Sequence, residues 1–449
     1  MEKVFDISLP SDVGYIIEKL NREGFQAFAV GGCVRDSLLG KEPKDWDITT
    51  DARPEQVKGL FEKTIDTGLK HGTVTVVLHG ENYEVTTFRI DGQYLDNRKP
   101  SSVLFTASLD EDLSRRDFTI NAIAYHPQEG VISPFGGIRH LQQKLIVAVG
   151  KAEDRFQEDA LRMLRAVRFS AQLDFTVTEE VLQAIALKSP LIQNISHERI
   201  RDELTKTLIS QNPMKFALLR ETGILRYVLP EFDRCFDTKQ NNPYHVYNVA
   251  LHTLTAVVNI EADPVLRWTM LLHDVGKAVS KTTDLKGIDH FYGHQKQSVD
   301  IAKEILKRLR FDNKSSDSIL RLIEHHDRAI TASSKSVRKA AAAVGADIFE
   351  DLLKVQEADK RAQNPDYLEK RLIELENIRN IYREITDSKQ CVDIRSLAVN
   401  GNDLMELGYA RGKLLGQALN HLFKLVLEDP ALNTREQLLD IAQKIKTDR

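Results

Sequence analysis

The spacing of apolar residues changes once along this chain, and the change limits the folds open to it. Before residue 150, "TVTVVLHG" (73–80) and "YEVTTFRI" (83–90) alternate and are rich in β-branched residues, the pattern of paired strands. "EKLNREGF" (18–25) reads as a helix leading into "AFAVGG" (27–32), a strand that ends on glycines. After residue 151, "DALRMLRAVRFSAQL", "VLQAIAL", "RIRDELTKTLI" and "DIAKEILKRLRF" carry the helical period, and little reads as strand. This predicts an α+β protein: an N-terminal head (1–150), a small mixed β-sheet with helices, followed by an all-α remainder. We divide that remainder into a neck (151–215), a body (216–340) and a tail (341–449).

With 42% hydrophobic and 29% charged residues among 449, the composition is that of a soluble globular protein. No window approaches eighteen uninterrupted apolar residues, so no membrane span is expected, and the N-terminus lacks the pattern of a secretory signal. Cys33, Cys235 and Cys391 lie far apart and suggest neither a disulfide framework nor a zinc cluster; they fit a reducing cytoplasm. A net charge of −4 gives no general attraction to a polyanion. Any nucleic-acid contact must come from local basic patches. Oligomeric state is open.

The stretch "GGCVRDSLLGKEPKDWDITT" (31–50) holds the densest chemistry. If "DWDITT" is a strand, Asp45 and Asp47 share one face and Trp46 takes the other. Two adjacent carboxylates repel unless a cation lies between them, and their hard oxygens suit Mg2+ together with substrate phosphates. A pair of ions there can activate an attacking hydroxyl and steady a leaving pyrophosphate. Upstream, Gly31 and Gly32 permit close approach of a phosphate, and Arg35 offers it a fork of donors. The alternative is a strand edge with a glycine turn and two solvated aspartates.

These residues resemble the signature of the class II nucleotidyltransferases that mature the tRNA 3′ end: the CCA-adding enzymes and their bacterial poly(A) polymerase relatives. "EVTTFR" (84–89), "RRDFTINAIAY" (115–125) and "EDALRMLRAVRFSAQLDF" (158–175) match further family segments in the same order. The resemblance implies template-independent addition of CCA to tRNA from CTP and ATP, with release of pyrophosphate. It places Mg2+ on Asp45 and Asp47, and the triphosphate on Gly32, Arg35 and Arg116. Base selection falls to Asp159 and Arg162, with Arg165 and Arg168 beside them. On a helical wheel these four lie with Glu158 on one half, opposite Ala160, Met163, Leu164 and Val167. A base template and a solvated ion-paired face both fit that wheel. Asp117 and Asn121 read as sugar or arginine partners or as capping residues, and Glu84 as a third carboxylate or a structural one. Residues 91–114 read as a mobile loop of the full length expected where adenosine is added. The chain departs from the family at Ser133, His140 and Val147, which replace an Asp, an acidic residue and an Arg.

The middle of the chain carries His252, His273, Asp274, His294, His325, His326 and Asp327 in "ALHTL", "LLHDVGK", "HFYGH" and "LIEHHDR". This order resembles an HD domain, a helical metal-dependent phosphohydrolase module. The resemblance implies a site for one or two transition-metal ions (Ni, Mn, Fe or Zn) on His252, His273, Asp274, His294, His325 and Asp327. In the tail, "NGNDL" and "GYARGKLLG" place glycine turns at helix starts near Arg411 and Lys413, where RNA phosphates or plain helix packing fit equally. Three other functions stay open: addition of the terminal adenosine alone, poly(A) synthesis, and an HD phosphohydrolase whose head only binds RNA.

Overall fold

The computed structural model describes residues 7–92 and 102–447. It divides into two compact units, residues 1–230 and 231–449. The expected boundary at 340/341 falls inside the continuous helix Ser334–Val344.

The first unit is built on a seven-stranded sheet. Its strands include β1 (Ala27–Val30), β2 (Asp47–Thr50), β3 (Thr64–Gly68), β4 (Thr73–Leu78) and β5 (Glu81–Thr87). The spatial order is β3-β4-β5-β2-β1, continued by Ala124–His126 and Gly130–Ile132. Only the β2–β5 pairing is parallel, so the sheet is mixed. The helix Ser11–Arg22 buries Val13, Ile16, Ile17 and Leu20, one apolar stripe at helical spacing. Phe28, Val30, Phe88, Leu113 and Ala124 share a core with Val149.

Two expectations are corrected here. Residues 102–114 are not all loop: Val103–Phe105 pairs with Arg89–Asp91, and Leu109–Ser114 is a helix capped by Ser108. Residues 93–101 lie outside the described residues. The neck segment is also not one helix. Ala152–Glu158 ends at Asp159, whose backbone is extended (φ −131°, ψ 104°), and a second helix runs over Leu161–Leu173. Asp159 Oδ1 accepts the Leu161 amide at 3.0 Å. A short polar side chain that can bond the backbone two residues on competes with helix continuation.

Among its described residues the second unit is helical, with one small hairpin (Thr282–Thr283 with Asp289–His290). Its helix Pro264–Leu272 starts on Asp263, which accepts the Leu266 amide at 3.0 Å, and buries Trp268 completely. Residues 391–445 assemble a separate core around Leu404, Leu422, Val426 and Leu438. Cys33, Cys235 and Cys391 are free and buried.

Candidate active site

In the first unit, β2 begins at Asp47; Asp45 lies in the bend before it. The two do not share strand alternation as expected, because ladder partners start only at Asp47 on β5 and at Ile48 on β1. Instead Asp47 stands opposite Glu84 in the parallel register. Burial raises the Asp47 carboxyl; Arg116 opposes this, and the Asp45 charge adds to it. Burial and the charges of Asp47 and Asp45 raise Glu84 likewise. Two carboxylates raised in this way, with the charge of Asp45 beside them, fit a divalent cation, which would relieve the repulsion.

Behind them opens a cleft of about 400 Å³, lined by Gly31, Gly32, Arg35, Asp47, Asn121 and Arg116 at one end and by Asp159, Arg162, Arg165 and Arg199 at the other. Among the described lining residues six are arginines and three are aspartates, so the cleft suits a polyanion. Gly31 has φ 86°, and a Cβ there would lie 2.9 Å from Arg116 Nη1. Gly31, more than Gly32, must therefore lack a side chain.

The arginines are held in place. Arg35 Nη1 donates to Asn121 Oδ1 at 2.6 Å, and Asn121 Nδ2 donates to Asp117 Oδ1 at 3.0 Å. Arg165 Nε donates to Asp117 Oδ2 at 2.6 Å. Burial alone would raise Asp117, but the Arg165 charge and the Asn121 bond bring it down to about 2. Asp117 and Asn121 thus connect the Arg35 end of the cleft to the neck. Arg116 leans on the fully buried Asp112 at 3.4 Å.

Arg162 donates to Glu158 Oε2 at 2.6 Å and to the Arg115 carbonyl at 2.8 Å, and Asp159 Oδ2 accepts from Arg199 at 3.1 Å. Arg168 does not line the cleft. It pairs with buried Glu203 at 2.8 Å and stacks on Phe169. Arg199 and Asp112 were not anticipated. An arginine in "HERIRDEL" is an ordinary surface residue by sequence, and only the packing of two distant helices brings it to Asp159. At the departing motif, His140 is buried and its Nδ1 lies 2.8 Å from Thr119 Oγ1, while Ser133 Oγ accepts the Ile138 amide. Arg139 Nη2 lies 3.3 Å from the other ring nitrogen of His140, so a hydrogen-bonded network with one guanidinium occupies that corner.

In the second unit a group of imidazoles and carboxylates converges. His252, His273, Asp274 and Asp359 bring ligand atoms within 4.8 Å of one another, as do Asp274, His294 and His326. Each histidine sets its Nδ1 against a backbone carbonyl: His252 on Ala362 (3.2 Å), His273 on Met270 (2.6 Å), His294 on Phe291 (2.9 Å) and His326 on Ile323 (2.7 Å). A carbonyl only accepts, so Nδ1 carries the proton and Nε2 faces the centre, the arrangement of metal-binding imidazoles. These buried groups pair mainly with one another: His252 Nε2 lies 3.0 Å from Asp359 Oδ1, and Asp274 Oδ2 also meets Lys277 Nζ at 2.7 Å. Asp274 Oδ2 faces His252 (3.4 Å) and His273 (3.2 Å), and Oδ1 faces His294 (3.4 Å) and His326 (3.7 Å). The donors fit divalent ions on both sides of Asp274.

His325 and Asp327 do not join this set. His325 is one residue off the inward-facing His326 at a helix end, and neighbouring helical positions point about 100° apart. Asp327 is exposed and accepts from Gln295 at 3.0 Å. Asp359 takes the expected carboxylate place. Its only sequence signal is an acid on the buried side of the helix Phe349–Arg361.

A CCA-adding enzyme of Ligilactobacillus salivarius is 35% identical over 433 residues, covering 96% of this chain and 95% of that protein. The chain belongs to the CCA-adding enzyme family. A Lactobacillus johnsonii member is 49% identical over 225 residues, which is 50% of this chain and 55% of that protein. Family models match as the poly A polymerase head domain (27–147), the probable RNA and SrmB-binding site of polymerase A (174–236) and the HD domain (244–390). The Bacillus stearothermophilus CCA-adding enzyme, solved in complex with CTP, superposes with TM-score 0.73 at 30% identity and covers 100% of this chain. The Thermotoga maritima CCA-adding enzyme, complexed with tRNA, shares the fold at TM-score 0.58 and 19% identity. Among the described residues no helix is long and apolar enough to cross a membrane.

Proposed function

We propose that this CCA-adding enzyme family member builds the CCA end of tRNA from CTP and ATP in the cytoplasm. The observation that carries this is the meeting, in one cleft, of the Asp47 carboxylate and Arg116 with Asp159 and Arg162. The tRNA 3′-hydroxyl oxygen bonds to the α-phosphorus, the bond to the bridging oxygen breaks, pyrophosphate leaves, and the hydroxyl proton passes to water. Asp45 and Asp47, with Glu84 beside them, would hold Mg2+, which neutralises the charge that builds on the phosphate oxygens. Gly31 opens the backbone to the triphosphate, and Arg35 and Arg116 bind it. Asp159 accepts from the base edge and Arg162 donates to it. Arg165 braces this end through Asp117, and Arg168 braces Phe169 from behind.

Purified protein given tRNA ending before CCA is expected to incorporate both CTP and ATP and to stop after three nucleotides. Growth only on tRNA ending in CC would assign A-addition, and long A tails poly(A) synthesis. Asp159→Ala and Arg162→Ala are each expected to reduce discrimination between correct and incorrect nucleotides by about 10–100-fold, from about 1–3 kcal/mol per base contact. Misincorporation in single-turnover assays measures this.

A second activity is favoured by the converging imidazole and carboxylate donors of the second unit. There His252, His273, Asp274, His294, His326 and Asp359 would hold two divalent ions, of which Mn2+, Ni2+, Fe2+ and Zn2+ suit imidazole and carboxylate ligands. Ions held by these residues would supply a hydroxide at neutral pH. The site hydrolyses a phosphate ester: a water oxygen bonds to phosphorus, the ester P–O bond breaks, and the alcohol leaves with a proton.

A further inference from the structure

Beside the cluster lie two clefts with a common wall. One, of about 320 Å³, contains Asp274, His294 and Asp359; the other, of about 310 Å³, contains Arg328, Lys360 and Arg371, and His326, Asp327 and Gln363 line both. The second cleft touches the cluster only through His326, yet it gathers three cations against the carboxylates of Asp327 and Glu374. Among the described residues no hydrogen bond or ion pair holds Lys360, although it is half-buried. A half-buried ammonium in a cleft, without a partner, suits an anion from outside.

Gln363 joins the two clefts. Its Nε2 donates to Asp359 Oδ2 at 2.8 Å, and its Oε1 accepts from Arg371 Nη1. Two hydrogen bonds of about 2.9 Å and the width of one amide keep that guanidinium within about 8 Å of the Asp359 carboxylate. Arg371 is fixed from its other side by the rings of Tyr244 (4.9 Å) and Tyr367 (5.7 Å). One sugar carrying two phosphates spans that gap.

We propose that Arg328, Lys360 and Arg371 bind a second phosphate of the ester hydrolysed at the cluster, so the site takes nucleotides with two phosphates in preference to those with one. The proposal rests on the hydrolytic reading of the cluster. That chemistry has two sources, a free nucleoside bisphosphate and an RNA end whose terminal phosphate follows a phosphodiester.

The test uses the full-length protein loaded with Mn2+, whose uptake is measured first by calorimetry. Propane-1,3-bisphosphonate and propylphosphonate, whose P–C bonds resist hydrolysis, are then titrated separately. We expect the bisphosphonate to bind at least tenfold more tightly, and Lys360→Gln and Arg328→Gln each to bring the two affinities within about twofold. No Mn2+ uptake would overturn the hydrolytic reading itself. Uptake with equal affinities in the wild type, or an advantage that survives both substitutions, would overturn this assignment alone. Competition then separates the sources: a dinucleotide ending in 3′-phosphate that outcompetes adenosine 3′,5′-bisphosphate assigns RNA ends, and the reverse order assigns free nucleotides.

Discussion

Asp47→Asn is expected to slow incorporation of both cytidine and adenosine by about a thousandfold, while the metal-free protein melts no lower than wild type. A thousandfold corresponds to about 4 kcal/mol of transition-state stabilisation, a reasonable share for a ligand of the ion that neutralises a transferring phosphate. The stability half of this prediction follows from the same carboxylate. Burial and the Asp45 charge, against the pull of Arg116, place the Asp47 carboxyl above its ordinary value. A carboxyl whose folded pKa exceeds its unfolded one weakens the fold once the pH passes the unfolded value, and the loss is complete above the folded one. The amide removes that cost at neutral pH and keeps the shape. Melting curves in EDTA and single-turnover incorporation with Mg2+ check the two halves. A variant with the wild-type rate would remove Asp47 from the chemistry, and a variant that melts well below wild type would make it a structural residue.

Asp274→Asn is expected to weaken Mn2+ uptake more than a hundredfold and to abolish phosphate-ester hydrolysis, while incorporation on tRNA stays within about twofold of wild type. Asp274 faces four imidazoles with its two oxygens, so the amide disables both halves of the cluster. The two activities separate because the incorporation cleft is lined wholly by residues of the first unit and the cluster wholly by residues of the second. In wild type, Mn2+ at a hundred times its dissociation constant stabilises the unit that binds it by about 2.7 kcal/mol. Burial would lower His273, but Asp274 and Asp359 push it up to about 10. The cation-free cluster therefore carries protons that a metal must displace. Its apparent affinity rises with pH, and calorimetry in buffers of different ionisation enthalpy reads the protons released. Uptake without proton release, or uptake unchanged in Asp274→Asn, would show that the ion binds elsewhere.

Much of the head was legible because its chemistry is local. "GGCVRD" and "DWD" lie within twenty residues of each other, and strand alternation around 73–90 places Glu84 next to the pair. The helical remainder was legible from its period, and the clustering of His252, His273, Asp274 and His294 from the order of its motifs. The legible part ended where a helix phase or a distant partner decides. His325 and His326 differ by one position, and sequence order does not say which faces inward. The helical period places Asp159 on a continuous helix, whereas it ends one helix and its carboxylate accepts the Leu161 amide at the start of the next. Asp359, Gln363 and Arg371 carry no local signature.

By itself the sequence determined the fold class, the glycine- and carboxylate-rich stretch of the head and most of the inward histidines, because period and short-range spacing act over a few residues. Only the tertiary structure decided that Arg199 holds Asp159, that Arg168 turns to Glu203, and that Asp359 closes the imidazole and carboxylate cluster. Each of those choices depends on how helices far apart in the chain pack, and burying an unpaired charge costs too much for any one of them to be made alone.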